Sequence, residues 1–229
     1  MRVEIWSDIA CPWCYLGKRR FERALGEFPH RDDVEVVWRS FELDPKAPKH
    51  QSGSATEILA RKYRVPLAQA AAMNTRMASE AAKEGLEMRF DRVRVGNTFD
   101  AHRLAHLAAT VGRRDAMVDR LFAAYFTDGA SLDDVDTLVH LAAEVGVNAD
   151  VARAALAGDA FADAVRADEA RAEAFGISGV PFFAIDERVG VSGAQPAEVL
   201  LDVLRQVWAE QAPTPAADAE RCDDESCAT

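Results

Sequence analysis

No run of 18 consecutive apolar residues occurs anywhere in the sequence, so a transmembrane helix of ordinary length is excluded. Basic charge is also in short supply: 27 Lys and Arg stand against 38 Asp and Glu, a formal net charge of -11. Such a surface repels phosphate backbones and anionic lipid, which argues against nucleic acid and membranes as partners. Internal repeats are absent. Directly after Met1 the sequence passes into strand-like residues, with no charged segment followed by an apolar one of the kind that directs secretion. The expectation is a cytoplasmic protein, where thiols are held mostly reduced. What is present is ordinary for a soluble globular chain: 229 residues, 49% hydrophobic and 28% charged, enough for a sizeable core in one large domain or a domain carrying an insertion.

Cysteine is scarce too, with four in the chain, and two of them form Cys11-Pro12-Trp13-Cys14. This C-x-x-C pair lies between an apolar run, Val3-Glu4-Ile5-Trp6, and a helical pattern. If a helix begins at the motif, Cys11 sits where free backbone N–H groups and the helix dipole stabilise a thiolate. Pro12 fits the first helical turn, since it lacks only an N–H that would be unpaired there. Trp13 binds no metal and takes no proton, which leaves it as an apolar rim for substrate. On this reading the more exposed Cys11 attacks a disulfide and Cys14, one turn in, resolves the mixed disulfide. A buried structural bridge and half a zinc site are the alternatives, and zinc would need four ligands. The other two cysteines, Cys222 and Cys227, are remote in sequence.

Residues 2–8 read as a strand, 12–28 as a helix ended by Phe28-Pro29, and 34–41 as a second strand rich in β-branched and aromatic residues. From about 50 to 175 the pattern is alanine-rich and helical, with segments at 54–64, 66–84, 98–112, 114–127, 131–145 and 149–175, the last broken near Gly158. Ser131 is the expected N-cap of its helix and Gly146 its stop. Met73, Met77 and Met88 read as core filler. Beyond this block, 180–185 and 189–191 suggest a hairpin and 195–210 a closing helix. The Pro- and Ala-rich stretch from Ala212 to Asp218 has linker composition and leads to the acidic cysteine tail. The domain reading is therefore 1–49 and 176–211 as one unit, 50–175 as a helical insertion, and 212–229 as a flexible tail.

This order of elements resembles an α/β thioredoxin fold interrupted by a helical domain, the arrangement of the DsbA family. A second marker is Ile177-Ser178-Gly179-Val180-Pro181-Phe182-Phe183, similar to the loop in which such proteins hold a cis-proline beside the active-site cysteines. The resemblance implies that Pro181 is cis and that Val180 offers backbone groups to a substrate strand. The residues alone leave open a trans proline at the start of a strand. Within the family, Trp6-Ser7-Asp8-Ile9-Ala10 before the motif, the stretch from Asn97 to Leu104, and the proline loop resemble the FrnE-type branch. So does the C-x4-C tail of Cys222 and Cys227. What this implies is thiol-disulfide exchange on protein substrates, with no organic cofactor or metal, and glutathione or a thioredoxin-type protein as electron donor. Asn97 and His102 would line the substrate groove, with Pro12, Trp13, Val180 and Pro181.

Two other classes of function remain. Kappa-class glutathione transferases and 2-hydroxychromene-2-carboxylate isomerases share the fold and a similar asparagine-threonine segment, but typically carry serine at the first motif position, where this chain has Cys11. A zinc-stabilised or redox-switched binding module without turnover is the third reading. His102 and His106, at i and i+4, share a helical face as a metal pair would, yet no third ligand is evident. Lys18, Arg19, Arg20 and Arg23 read as a solvated basic face able to attract the acidic tail. Acidic neighbours disfavour thiolate at Cys222 and Cys227, so electrons would flow from the tail pair toward an oxidised Cys11 and Cys14.

Overall fold

The computed structural model describes residues 1–49 and 51–211; the tail with Cys222 and Cys227 lies outside the described residues. The sheet has the order β2-β1-β3-β4. Its central strand β1 (Arg2–Ser7) pairs in parallel with β2 (Glu35–Ser40), Ile5 opposite Trp38 and Ser7 opposite Ser40. On its other side β1 runs antiparallel to β3 (Phe182–Ile185), which turns through Asp186 and Glu187, both at positive φ, into β4 (Val189–Ser192). From Val3 to Ser7 every residue of β1 is buried on both faces, as expected of a strand covered by helices above and below.

Helix α1 (Pro12–Glu27) crosses from β1 to β2 and ends at Phe28, ahead of Pro29. It packs with the closing helix α9 (Ala197–Gln211) on one face of the sheet, where Phe21 meets Phe183 at a ring separation of 5.5 Å. Between β2 and β3 the chain is helical. Helix α2 (Ala55–Tyr63) starts at a Ser54–Glu57 capping box, followed by α3 (Leu67–Lys83), α4 (Phe99–Ala109) and α5 (Arg114–Ala123). The predicted segment 114–127 is thus α-helical only to Ala123; its last turn, Ala124–Asp128, is π-helical and stops at Gly129 in the left-handed region. The remaining helices are α6 (Val135–Glu144), α7 (Ala149–Ala157) and α8 (Ala162–Ala174), the last two separated at Gly158.

Two sequence expectations are corrected here. The cap of α6 is Asp134, whose carboxylate accepts from Thr137 N at 3.0 Å and from the Thr137 hydroxyl, while Ser131 donates to Asp133 instead. A carboxylate placed next to the first turn outcompetes a hydroxyl three residues upstream. Nor is the basic run of α1 solvated throughout: the side chains of Arg19 and Arg23 are exposed as expected, but those of Lys18 and Arg20 are not. Lys18 is 1% exposed and ion-paired with Glu22, Asp115 and Asp119, and Arg20 and Arg23 share Glu84. Burial requires the Lys18 charge to be paired, and its ion pairs, with those of Arg20, clamp α1 to α5 and α3.

The helical block does not have a core of its own. Buried side chains of β1, α1, α4, α5, α6 and α9 form one continuous cluster, and Tyr15, next to Cys14, stacks on Phe122 of α5 with ring centroids 5.0 Å apart. The helix that carries the cysteines is therefore held from both sides. Met77 and Met88 are buried in that cluster, and Met73 is half-buried. Among the described residues, no helix is long and apolar enough to cross a membrane.

Candidate active site

Strand β1 delivers the chain to a short loop, Asp8–Ala10, and Cys11 is the N-cap of α1 with Pro12 at the first helical position. Cys11 N–H bonds to Asp8 O at 3.0 Å, and Cys11 O accepts from Cys14 N and Tyr15 N, so the loop and the first turn fix each other. The Cys11 side chain makes no capping bond to α1; its thiol points to the carbonyl of Val180, 3.7 Å away. The Val180-Pro181 bond is cis. Residues 169 positions apart thus meet at one sulfur. Trp13 is 48% exposed beside it.

Both cysteines are free thiols and both are buried, Cys11 at 5% and Cys14 at 1% exposure. Exposure therefore separates them less than the sequence led us to expect. What does separate them is Cys14's position one turn into the protein. Burial pushes the Cys14 thiol well up, and the adjacent Cys11 sulfur adds to this; the Asp8 N–H and the Ser7 hydroxyl, facing the same sulfur, oppose it in part. At neutral pH Cys14 is held as a thiol.

Two residues that sequence reasoning passed over shape the site. Gly17 lies on α1 under the proline loop, and a Cβ there would come 2.9 Å from Pro181 Cγ. Hydrogen is the only side chain that lets the loop approach. Asp8 is 2% exposed and accepts from Leu43 N at 2.7 Å, Thr98 Oγ1 at 2.9 Å and Ala10 N at 3.2 Å. Burial alone would raise its carboxyl, but His102 and the backbone donors outweigh that and hold it below the ordinary value. An acid set between a strand and the motif, followed by apolar Ile9 and Ala10, was the available signal.

Of the two residues expected along the groove, His102 is buried and Asn97 is half-buried. Asn97 accepts from Phe99 N at 2.8 Å and donates to Glu42 and Ala47 O, fixing the start of α4 against the loop after β2. His102 is 3% exposed, with Nε2 3.5 Å from Asp8 Oδ1. His106 turns instead to Asp168, 3.0 Å away, so the two histidines serve different carboxylates and do not converge. Helical spacing puts both on one side of α4, but the walls they meet differ.

In front of the motif a cavity of about 580 Å³ opens, lined by Asp8, Ala10 and Pro12 on one side and by α2, α3 and the segment before α4 on the other. Leu59, Val93, Tyr125 and Phe126 make it largely apolar, and Arg61 and Lys62 supply cations. Burial and the nearby Asp8 push the Tyr125 phenol up, so it is neutral at all ordinary pH.

The sequence profile of the DsbA-like thioredoxin domain matches residues 2–205. The chain belongs to the DsbA family. Among solved structures, one described as a probable DsbA oxidoreductase from Streptomyces coelicolor is 50% identical, with a TM-score of 0.89 over 100% of this chain and 99% of that one. Protein YwbO of Bacillus subtilis is 30% identical over 201 residues, 87% of this chain and 93% of that protein. The cytosolic disulfide reductase DsbM from Pseudomonas aeruginosa shares the fold at 18% identity, with a TM-score of 0.63 over 91% of this chain and 100% of that one. As a DsbA-family member the chain is a thiol oxidoreductase, built as a thioredoxin fold with helices between β2 and β3.

Proposed function

We propose that this DsbA-family chain reduces and isomerises protein disulfides in the cytoplasm, as a FrnE-type enzyme, with Cys11 as the nucleophile and Cys14 as the resolving thiol. The observation that carries this reading is the meeting of Cys11 Sγ with the Val180 carbonyl beside cis-Pro181. A client strand laid along Val180 places its disulfide at Cys11, at the N-terminal end of α1. Cys11 attacks one client sulfur and the other leaves as a thiolate. Cys14 then attacks Cys11, which frees the client and leaves the protein oxidised by two electrons. Trp13 and the Val180-Pro181 loop form the platform. Glutathione or a thioredoxin-type protein returns the electrons. The tail pair, Cys222 and Cys227, is a secondary redox pair in this scheme, and removing residues 212–229 slows turnover without changing the melting temperature.

The test is catalysed reduction of insulin. Cys11→Ser abolishes it, and Cys14→Ser blocks turnover while accumulating a mixed disulfide on Cys11 that identifies the clients. Equal alkylation rates for Cys11 and Cys14 in the reduced protein would count against the assignment.

The cavity beside Pro12, with Arg61 and Lys62 on its wall, favours one second reading: a glutathione-dependent transferase or isomerase acting on a small molecule. A pocket of this size suits a small organic molecule, whereas an extended client strand needs only the platform. Conjugation of chlorodinitrobenzene to glutathione without insulin reductase activity would replace the first reading by the second.

A further inference from the structure

The chain as a whole is acidic, with a formal net charge of -11, yet one stretch beside the motif runs the other way. Between Glu57 and Glu80 there is no Asp or Glu, while Arg61, Lys62, Arg64 and Arg76 all fall there. This stretch forms the helical hairpin of α2 and α3, whose turn at residues 64–66 is closed by Val65 N–H bonding to Ala60 O at 3.0 Å. All four cations are exposed. Arg61 reaches Ser52 O at 3.4 Å and lies near Glu57, but among the described residues no carboxylate pairs with Lys62, Arg64 or Arg76. The basic run of α1, by contrast, is spent on Glu22, Glu84, Asp115 and Asp119. Tyr63 and Leu67 flank the turn and are 56% and 54% exposed. Single exposed apolar side chains are common, but an aromatic ring and arginine together on one surface are what protein interfaces favour. The position of the hairpin decides what it serves. Ile58, Leu59, Arg61 and Lys62 stand across the large cavity from Ala10 and Pro12, the two neighbours of Cys11.

We propose that the α2–α3 hairpin is a docking arm for client proteins that carry acidic residues beside their disulfide. A docked client spans the mouth of the cavity, with its acidic side chains at Lys62 and Arg64, its apolar ones on Tyr63 and Leu67, and its disulfide at Cys11. The balance of charge gives the arm its use. A net charge of -11 repels an acidic client at long range, whereas close to the hairpin, within a screening length of about 10 Å at 0.1 M salt, the local positive surface prevails. The arm acts on encounter and orientation and leaves thiol exchange to Cys11 and Cys14. The chain's own tail, with Asp223, Asp224 and Glu225, carries the same sign of charge. However, α9 runs toward the other end of α1, where Trp208 stacks on His30 with ring centroids 4.3 Å apart, just beyond Phe28. At about 1.5 Å per residue, the 16 residues of α1 separate that point from the motif by roughly 24 Å. The arm and the start of the tail thus lie at opposite ends of α1, and a client is the occupant assigned to the arm.

This inference rests on the thiol exchange reading, and disulfide-bridged peptides that differ only in their flanking residues, glutamate, serine or lysine, separate the two. With the full-length reduced protein in single turnover, the glutamate peptide is expected to react on the order of tenfold faster than the lysine peptide at about 0.01 M ionic strength. The advantage should vanish near 1 M, where the screening length is about 3 Å. The sign is diagnostic, because the net charge by itself would favour the lysine peptide. Lys62→Gln with Arg64→Gln should remove the glutamate advantage at low salt, and Lys62→Glu with Arg64→Glu should invert it. The ratio of the two peptide rates does not depend on how much of a variant is folded and active. A parent ratio at or below unity, or a ratio left unchanged by the charge reversal, would overturn the arm. So would a several-fold rise in the glutamate-peptide rate on removal of residues 212–229, which would give the arm to the chain's own tail, or salt-sensitive dimers in sedimentation, which would give it to a second copy. Failure of the parent to reduce even the serine peptide would overturn the thiol exchange reading instead.

Discussion

Asp8 and Asp168 are both buried acids, and their surroundings are opposite. Asp168 on α8 accepts from Arg39 at 2.8 Å, Ser40 N at 2.9 Å and His106 at 3.0 Å, with Arg114 at 3.4 Å. Glu4, nearby on β1, is held in the same manner by Arg39 and Arg171. Among the described residues, no arginine or lysine bonds to Asp8. Its donors are two backbone N–H groups and a threonine hydroxyl, and His102 Nε2 lies 3.5 Å away. The difference teaches what each charge is for. A carboxylate saturated by guanidinium groups joins elements, here α8, α4 and α5 to the sheet, and cannot exchange a proton near neutrality. A carboxylate held by backbone N–H groups and a hydroxyl, as Asp8 is by Ala10, Leu43 and Thr98, instead fixes the loop ahead of the motif.

The largest effect that would sharpen the contrast comes from removing the structural acid. Asp168→Ala leaves Arg39 and Arg114 buried without their counter-charge and should lower stability by about 3–5 kcal/mol, read from the urea midpoint. The folded fraction should keep its rate of Cys11 alkylation. Asp8→Asn keeps shape and most hydrogen-bonding capacity, so its stability loss should be about 1–3 kcal/mol. Comparable losses for the two substitutions would erase the distinction.

Acid titration is the next test. Glu4, Asp8 and Asp168 are all held below their ordinary values, in each case because bound donors overcome burial. A carboxyl depressed in the folded state contributes stability above its unfolded value, about pH 4, and loses it as pH falls through the folded value. Glu42 works the other way, since burial raises it despite Arg166. The urea midpoint should therefore fall below about pH 4, and Asp8→Asn should flatten part of that fall. An unchanged acid limb in Asp8→Asn would show that Asp8 is not ionised in the folded protein.

Smaller effects concern the platform. Gly17→Ala puts a methyl 2.9 Å from a proline ring that cannot swing away, and should cost about 1–3 kcal/mol while weakening protein-disulfide reduction more than Cys11 alkylation. Trp13→Ala, at an exposed position, should change stability by no more than about 0.5 kcal/mol and raise KM for protein disulfides. If Trp13→Ala lowered stability as much as Gly17→Ala, the tryptophan would be a packing residue and not a rim.

Much of this protein was legible in the sequence because the relevant signals are local. The two apolar strand segments, the Pro12 start of α1, the break at Gly158 and the hairpin near Asp186 all depend on a few adjacent residues, and the structure has them. The cis peptide at Val180-Pro181 came from a resemblance and not from the residues, whose intrinsic preference is trans. Local signals misled where partners decide the outcome. Lys18 belongs to a run that reads as solvated, and only the approach of Asp115 and Asp119 on α5 makes it a buried clamp. Ser131 satisfies the cap pattern, and only the turn geometry hands the role to Asp134.

By itself, then, the sequence determined the elements, their order and the pair of sulfurs at a helix start, since propensity and periodicity act over a few residues. Tertiary structure alone decided that Cys11 faces Val180, that Gly17 is the seat of Pro181, and that His102 is buried beside Asp8. Those contacts join residues as far apart as Cys11 and Val180, and what brings such residues together is the burial of one continuous core shared by the sheet and the helices. A buried polar group takes its role from whichever donors that packing leaves within reach.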